Sequence, residues 1–232
     1  MIIKIFFLLS ICTSLCVVAS YVKIIEDIQC PIVGNVKSVV FRSSDNGNLK
    51  NLIPVIAIHG ASPSLKYEFM KVSEVLAQNG FMMILPDLHS NENTRPGNLK
   101  DIDIINNVIT KGIIDKYLQG RKPILMGKSW GGQWSAQLVI ANPNRFLSLV
   151  LIAPAINPNS DVISLLGRSK NLRVLLLFNE DDQVMISGEK NIPNSMKNND
   201  YLNKQLTIYS NKHGGHRIVD TFIEPIMEFM SK

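Results

Sequence analysis

Short apolar runs recur along the chain, and segments with helical spacing separate most of them. Each run has four to six residues, as is typical of buried strands. The predicted strands are Val36–Phe41, Ile53–Ile58, Phe81–Leu85, Pro123–Met126, Leu147–Ile152, Val174–Phe178 and Gln205–Tyr209. The predicted helices are Ser62–Gly80, Asp101–Leu118, Trp130–Ala141 and Ile218–Met230. Strands that alternate with helices predict an α/β fold, with a mostly parallel central sheet flanked by helices on both faces.

The size and composition of the chain fit one domain. It has 232 residues, of which 46% are hydrophobic, and this is enough to bury one substantial core. We expect residues 21–232 to form that domain. In sheets of this kind binding sites lie beyond the carboxyl ends of the strands, so the residues that follow the strands are the candidates for chemistry.

The first twenty residues have the layout of a secretory signal peptide. Lys4 supplies a positive charge, Ile5–Val18 is almost wholly apolar, and Val17–Ser20 offers small residues for cleavage. We therefore expect residues 1–20 to be removed and the protein to be secreted. An uncleaved segment that anchors the protein to a membrane is the alternative. Once residues 1–20 are removed, Cys30 is the remaining cysteine, and it is either buried or paired with another chain.

Basic residues are scattered along the chain and give a net charge of +5. Removal of residues 1–20 takes away Lys4 and leaves +4. The basic residues form no extended run and are not interleaved with aromatic residues, so the pattern indicates a solvated surface rather than a nucleic-acid site.

A Gly-x-Ser-x-Gly turn, Gly127–Gly131, lies between a predicted strand and a predicted helix. This is the context of a nucleophile elbow, in which a tight turn lifts the serine out at the end of the strand. Ser129 is therefore the candidate nucleophile. The alternative is a glycine-rich turn whose serine merely caps the helix.

A serine nucleophile needs a base to take its proton and an acid to orient that base. His216 follows the last predicted strand in Gly214-Gly215-His216, which we call the base loop, and His213 competes with it. The acid is expected in Asn179–Asp182, the acid turn, which follows another strand and holds three carboxylates. The chain order is then serine, acid, histidine.

An oxyanion requires two backbone N–H donors. One belongs to Trp130, the residue after the nucleophile, and the other is expected in the loop that follows Ile53–Ile58, foremost at Ala61. We expect His59, in the same loop, to have a structural role.

Together these residues resemble the α/β-hydrolase fold superfamily, in particular its small serine hydrolases without a lid. The resemblance runs from about Val36 to the C-terminus. It implies an acid turn of the form Gly-x-x-Asp, which favours Asp182, with Asp181 as the alternative. Asn179 then replaces the glycine, and we expect asparagine to tolerate the left-handed backbone there. The stretch between Ala155 and Asn171 is too short for the helical lid that many relatives insert.

The resemblance implies a serine hydrolase that cleaves carboxylic esters or thioesters of small-molecule acyl substrates through an acyl-enzyme intermediate. No cofactor or metal is expected. The alternative from another class is a catalytically silent scaffold of the same fold that binds a ligand or a partner protein. A third hypothesis treats His213, His216 and the acid turn as a metal site, for which the sequence offers no evident third ligand.

Overall fold

The computed structural model describes residues 20–44, 49–61, 68–88, 102–157, 160–169, 171–186, 191–200 and 202–232. Residues 1–19 of the expected signal peptide lie outside this range, as do Ser62 and Asp101, where two of the predicted helices begin.

Strands and helices alternate from Ile53 onward. The strands are β1 Tyr21–Cys30, β2 Gly34–Ser43, β3 Ile53–Ile58, β4 Phe81–Pro86, β5 Ile124–Lys128, β6 Ser148–Ile152, β7 Arg173–Asn179 and β8 Leu206–Asn211. The helices are α1 Met70–Gln78, α2 Ile102–Asn106, α3 Trp130–Ala141, α4 Val162–Arg168, α5 Gln183–Ile186, α6 Ile192–Lys197 and α7 Ile223–Met230. Helix α2 continues as a π-helix over Asn107–Tyr117.

The eight strands form one sheet in the order β1-β2-β4-β3-β5-β6-β7-β8. The pairings β1–β2 and β2–β4 are antiparallel, and the other five are parallel. The prediction of a mostly parallel central sheet is therefore confirmed, and all seven predicted strands are present. The six strands β3 to β8 are parallel and lie side by side, so their carboxyl ends share one edge of the sheet.

Strand β1 is the element that the apolar pattern did not predict. Polar residues interrupt its apolar ones, and most of its side chains are exposed or half-buried. It pairs with β2 across a tight turn in which Gly34 has φ 78°, a conformation open to glycine. A solvent-facing antiparallel strand needs no continuous apolar run, which is why the pattern did not reveal it.

Alternate residues of the central strands enter two separate cores, one on each face of the sheet. In β5, Leu125 packs with α2, α3 and α4, while its neighbours Ile124 and Met126 pack with α1 and α7. This two-layer burial is the physical reason why the central strands are apolar at every position.

The helices agree with the pattern only in part. Helix α3 spans Trp130–Ala141 as predicted, but the helix predicted over Asp101–Leu118 is partly π-helical. The C-terminal helix begins only at Ile223, after a 3-10 turn, and the described part of the first predicted helix is α1. The short helices α4, α5 and α6 were not predicted. The buried face of α4 joins the core, so α4 does not form a lid. Within the described ranges, none of the helices is long and apolar enough to cross a membrane.

Cys30 is buried, with 3% of its surface exposed. A Cβ placed on Gly112 would lie only 2.4 Å from its Sγ atom, so the thiol is tightly covered by the π-helix. Burial raises the pKa of the Cys30 thiol to about 11. Of the two possibilities left by the sequence, the structure shows the buried one.

Candidate active site

Ser129 occupies the turn between β5 and α3 in a strained backbone conformation. Its φ of 54° and ψ of −119° lie in a region that costs a non-glycine residue free energy. Its N–H donates to the carbonyl of Ile152 at 3.0 Å, and its carbonyl accepts from Gly132 N–H at 3.0 Å. These hydrogen bonds, one at the N–H and one at the carbonyl, fix the strained conformation and leave the side chain at the carboxyl edge of the sheet.

Glycines on either side of Ser129 allow the turn to pack without clashes. A Cβ on Gly127 would lie 2.3 Å from the carbonyl oxygen of Gly131. One on Gly131 would lie 2.0 Å from the carbonyl oxygen of Ile58, the last residue of β3. The elbow therefore touches the point where the loop that carries Ala61 leaves the sheet.

His216 lies between Ser129 and Asp182 and contacts both. Its Nε2 atom is 2.9 Å from Ser129 Oγ, and its Nδ1 atom is 2.7 Å from Asp182 Oδ2. A serine hydroxyl that donates to Nε2 leaves Nδ1–H to donate to the carboxylate, so the two contacts together are compatible with one tautomer of the neutral ring. The structure thus brings together, in one chain of side-chain contacts, the three residues that the sequence nominated.

Asp182 is almost completely buried, with 1% of its side chain exposed. Its second oxygen, Oδ1, accepts a hydrogen bond from Val184 N–H at 2.9 Å. Both carboxylate oxygens therefore have a donor, as a buried charge requires.

Asp181 makes different contacts from its neighbour. Its carboxylate accepts from the N–H groups of Gly214 and Gly215, at 3.2 and 2.8 Å. These bonds, that from Gly215 foremost, lower the pKa of Asp181. His213 is 88% exposed, with Nδ1 3.8 Å from Asp181 Oδ2. Asp181 and His213 thus lie together beside the base loop, while Asp182 and His216 contact each other.

One candidate oxyanion donor, Trp130, lies in the elbow, and the other, Ala61, lies in the loop that the elbow touches at Ile58 and His59. Trp130 is the first residue of α3, where backbone N–H groups have no partner within the helix and carry the positive end of its dipole. Ala61 follows His59, which is buried, accepts Leu88 N–H at Nε2 (3.1 Å) and has Nδ1 2.7 Å from the carbonyl of Gly60. The His59 ring therefore ties the loop to the segment after β4, a structural role.

Asn179 does not have the left-handed backbone that we expected. The described non-glycine residues with positive φ are Gln119, Ser129, Ala153 and Asn171. Asn179 is instead the last residue of β7, and its side chain is fully buried. The expectation was wrong because asparagine is used here for its amide and not for its backbone tolerance.

Sequence reasoning did not single out the ion pair that buried Lys128 and half-buried Glu68 make beside Ser129. Lys128 has 1% of its side chain exposed, and its Nζ atom is 3.0 Å from Glu68 Oε2. The pair connects the end of β5 to the residues just before α1. A lysine inside an apolar run, directly before the candidate nucleophile, was the available signal.

The described residues include no group of three or more histidine, cysteine, aspartate or glutamate side chains arranged to hold a metal ion. Both ring nitrogens of His216 make the contacts described above.

Comparison with known proteins places this arrangement in a family. A family model described as alpha/beta hydrolase fold matches residues 53–184, more than half of the chain. The chain belongs to the α/β-hydrolase fold family. No curated protein matches its sequence significantly.

Solved α/β-hydrolases share this fold at low sequence identity. A CIB-like hydrolase of Thermoplasma acidophilum has a TM-score of 0.69 and 14% identity, over 90% of this chain and 98% of its own. An S-formylglutathione hydrolase of Staphylococcus aureus has a TM-score of 0.69 and 13% identity, over 92% and 98%. An esterase of Pyrococcus furiosus has a TM-score of 0.68 and 15% identity, over 91% of each chain. At these identities the likeness concerns the fold.

Proposed function

We propose that this α/β-hydrolase is a serine hydrolase that cleaves carboxylic esters or thioesters through an acyl-enzyme intermediate. The observation that carries the proposal is the continuous chain of hydrogen bonds from Ser129 through His216 to the buried carboxylate of Asp182. This chain begins at a strained residue that points its hydroxyl toward the base. Strain at a serine is costly and is typical of a functional site.

In the acylation step, Ser129 Oγ attacks the carbonyl carbon of the substrate while His216 Nε2 takes its proton. Asp182 stabilises the imidazolium that forms, because its carboxylate is 2.7 Å from Nδ1 and shielded from water. The carbonyl oxygen becomes an oxyanion that the N–H groups of Ala61 and Trp130 stabilise. When the tetrahedral intermediate collapses, His216 returns the proton to the leaving alcohol or thiol.

In the deacylation step, water takes the place of the leaving group. His216 removes a proton from the water, the hydroxide attacks the acyl carbon, and Ser129 Oγ leaves with the proton from His216. A carboxylic acid is released and the enzyme returns to its starting state. Each step uses the same three side chains, so no cofactor is required.

Two of the structural relatives support this substrate class. One is an esterase and the other an S-formylglutathione hydrolase, whose named substrate is a thioester. We therefore expect small acyl groups joined to an alcohol or thiol.

A fluorophosphonate probe tests the proposal, because it forms a covalent bond with a serine only when that serine is activated by a base. The wild-type protein is expected to label, and Ser129→Ala is expected not to. Ser148→Ala is the matched control, because Ser148 is buried in the adjacent strand β6. Folded wild-type protein that does not label contradicts the proposal and favours the silent scaffold. Equal labelling of Ser129→Ala contradicts the choice of nucleophile.

A further inference from the structure

Two consecutive glycines, Gly214 and Gly215, give the backbone of the base loop wide conformational freedom. Gly214 has φ 153° and Gly215 has φ 58°, and glycine reaches such angles without a steric penalty. The same freedom makes it costly to order the loop, since glycine loses more conformational entropy on folding than other residues. A histidine that directly follows two glycines keeps one position only if other groups hold the loop.

Asn179 holds the base loop through hydrogen bonds to backbone carbonyl groups of the loop. Its Nδ2 atom donates to the carbonyls of Gly215, at 2.8 Å, and Arg217, at 3.0 Å. Asn211 Nδ2 in turn donates to Asn179 Oδ1 at 3.2 Å. The loop also lies directly on this side chain, because a Cβ on Gly214 would be 2.7 Å from Asn179 Cγ. The amide is fully buried, so water does not compete for these hydrogen bonds.

Asp181 holds the same loop through hydrogen bonds from backbone N–H groups of the loop. Its two oxygens accept one hydrogen bond each from Gly214 and Gly215. The lowered pKa of Asp181 keeps the carboxylate charged at neutral pH, and charged acceptors make stronger hydrogen bonds. Asn179 and Asp181 therefore grip Gly215 from both sides, one at its carbonyl and one at its N–H.

We propose that Asn179 and Asp181 are positioning residues that clamp the base loop and thereby set the distance between His216 and Ser129. The inference rests on the proposed function, in which that distance governs proton transfer. The residues of the acid turn then have different roles. Asp182 orients the imidazole ring, and Asn179 and Asp181 position the loop that carries it.

The main test is Asp181→Asn, with Glu180→Gln as the matched control. Both replace a carboxylate by an amide in the same turn, but the Glu180 side chain accepts from Ser210 Oγ and does not hold the base loop. We expect Asp181→Asn to lower the fluorophosphonate labelling rate by roughly 10- to 100-fold, since misplacement of a reacting group by 1 Å costs about 10²-fold. Glu180→Gln is expected to label within twofold of wild type.

The proton NMR resonance of His216 Nδ1–H supplies a measurement that does not depend on activity. Hydrogen bonds to a charged carboxylate are short and strong, and such a bond moves the resonance of its proton far downfield. A loosened contact with Asp182 is therefore expected to move this resonance upfield in Asp181→Asn and to leave it in place in Glu180→Gln. A loss of stability without misplacement of the loop would lower the melting temperature and leave the resonance in place. If the wild type does not label, the proposed function fails and the NMR measurement still decides whether the clamp exists.

Asn179→Ala is the second variant, because it removes the other half of the clamp without adding a buried charge. We expect it to slow labelling and to move the His216 Nδ1–H resonance upfield, as Asp181→Asn does. The inference is overturned if both variants label within twofold of wild type with this resonance in its wild-type place.

Discussion

Replacing Gly131 by alanine adds one carbon atom where the elbow touches β3. The new Cβ would lie 2.0 Å from the carbonyl oxygen of Ile58 and 2.5 Å from that of His59. Real Cβ atoms essentially never approach another atom within 3.0 Å, so the two segments must separate by about 1 Å. Both clashes are with backbone atoms, which no side-chain rotation can relieve.

The expected consequences follow from that separation. It moves Ser129 and the N–H of Trp130 away from the loop that carries Ala61. A misplacement of 1 Å costs roughly 10²-fold in rate. Overpacking costs about 1–3 kcal/mol of stability, which corresponds to a fall in melting temperature of roughly 2–12 °C for a domain of this size. Activity is therefore expected to fall far more than stability.

The assay compares kcat/KM for a p-nitrophenyl ester with the melting temperature from circular dichroism. Gly132→Ala is the matched control, because its Cβ would meet Pro154, at 2.7 Å from Cβ and 2.9 Å from Cα. Pro154 lies in the segment after β6 and not in the loop that carries Ala61. We expect the control to lose less activity. A Gly131→Ala variant within threefold of wild-type kcat/KM, or a control that is equally impaired, would refute the reasoning.

Three further predictions concern Lys128, Cys30 and Asp181. Lys128→Met leaves the Glu68 carboxylate without its partner and is expected to lower the stability by up to about 3 kcal/mol, measured as a lower melting temperature. The melting temperature is expected to recover in the double variant Lys128→Met/Glu68→Met, and an unchanged melting temperature of the single variant would contradict this. Cys30, with its pKa of about 11, should react with iodoacetamide at pH 8 only after denaturation; rapid reaction of the native protein would contradict its burial. The folded-state pKa of Asp181 is lowered, so the stability it contributes is present above about pH 4 and lost as the pH falls through the folded pKa. The difference in melting temperature between wild type and Asp181→Asn should therefore shrink below about pH 4. A difference that stays constant with pH would contradict a stabilising role of the charged Asp181 carboxylate.

The order of elements and the nominated site residues could be predicted from local patterns. Buried parallel strands must be apolar on both faces, so their runs were visible without a partner. The elbow was visible because Gly127, Ser129 and Gly131 all lie within five residues. The order serine, acid, histidine followed from the strands that precede each residue. Strand β1 was not predicted because a half-exposed antiparallel strand has no continuous apolar run.

The choice between neighbouring residues was decided by the tertiary structure. His216 is 34 residues from Asp182 and 87 from Ser129 in the chain, so no local pattern determines which atoms meet. The parallel register of β7 and β8, which aligns Asn179 with Asn211, brings the acid turn beside the base loop. Adjacent residues of the turn then point in different directions, Asp182 toward the imidazole and Asp181 toward the glycine N–H groups. The sequence by itself determined which residue types gather at the carboxyl edge of the sheet, and only the packing of distant segments determined which carboxylate contacts the base.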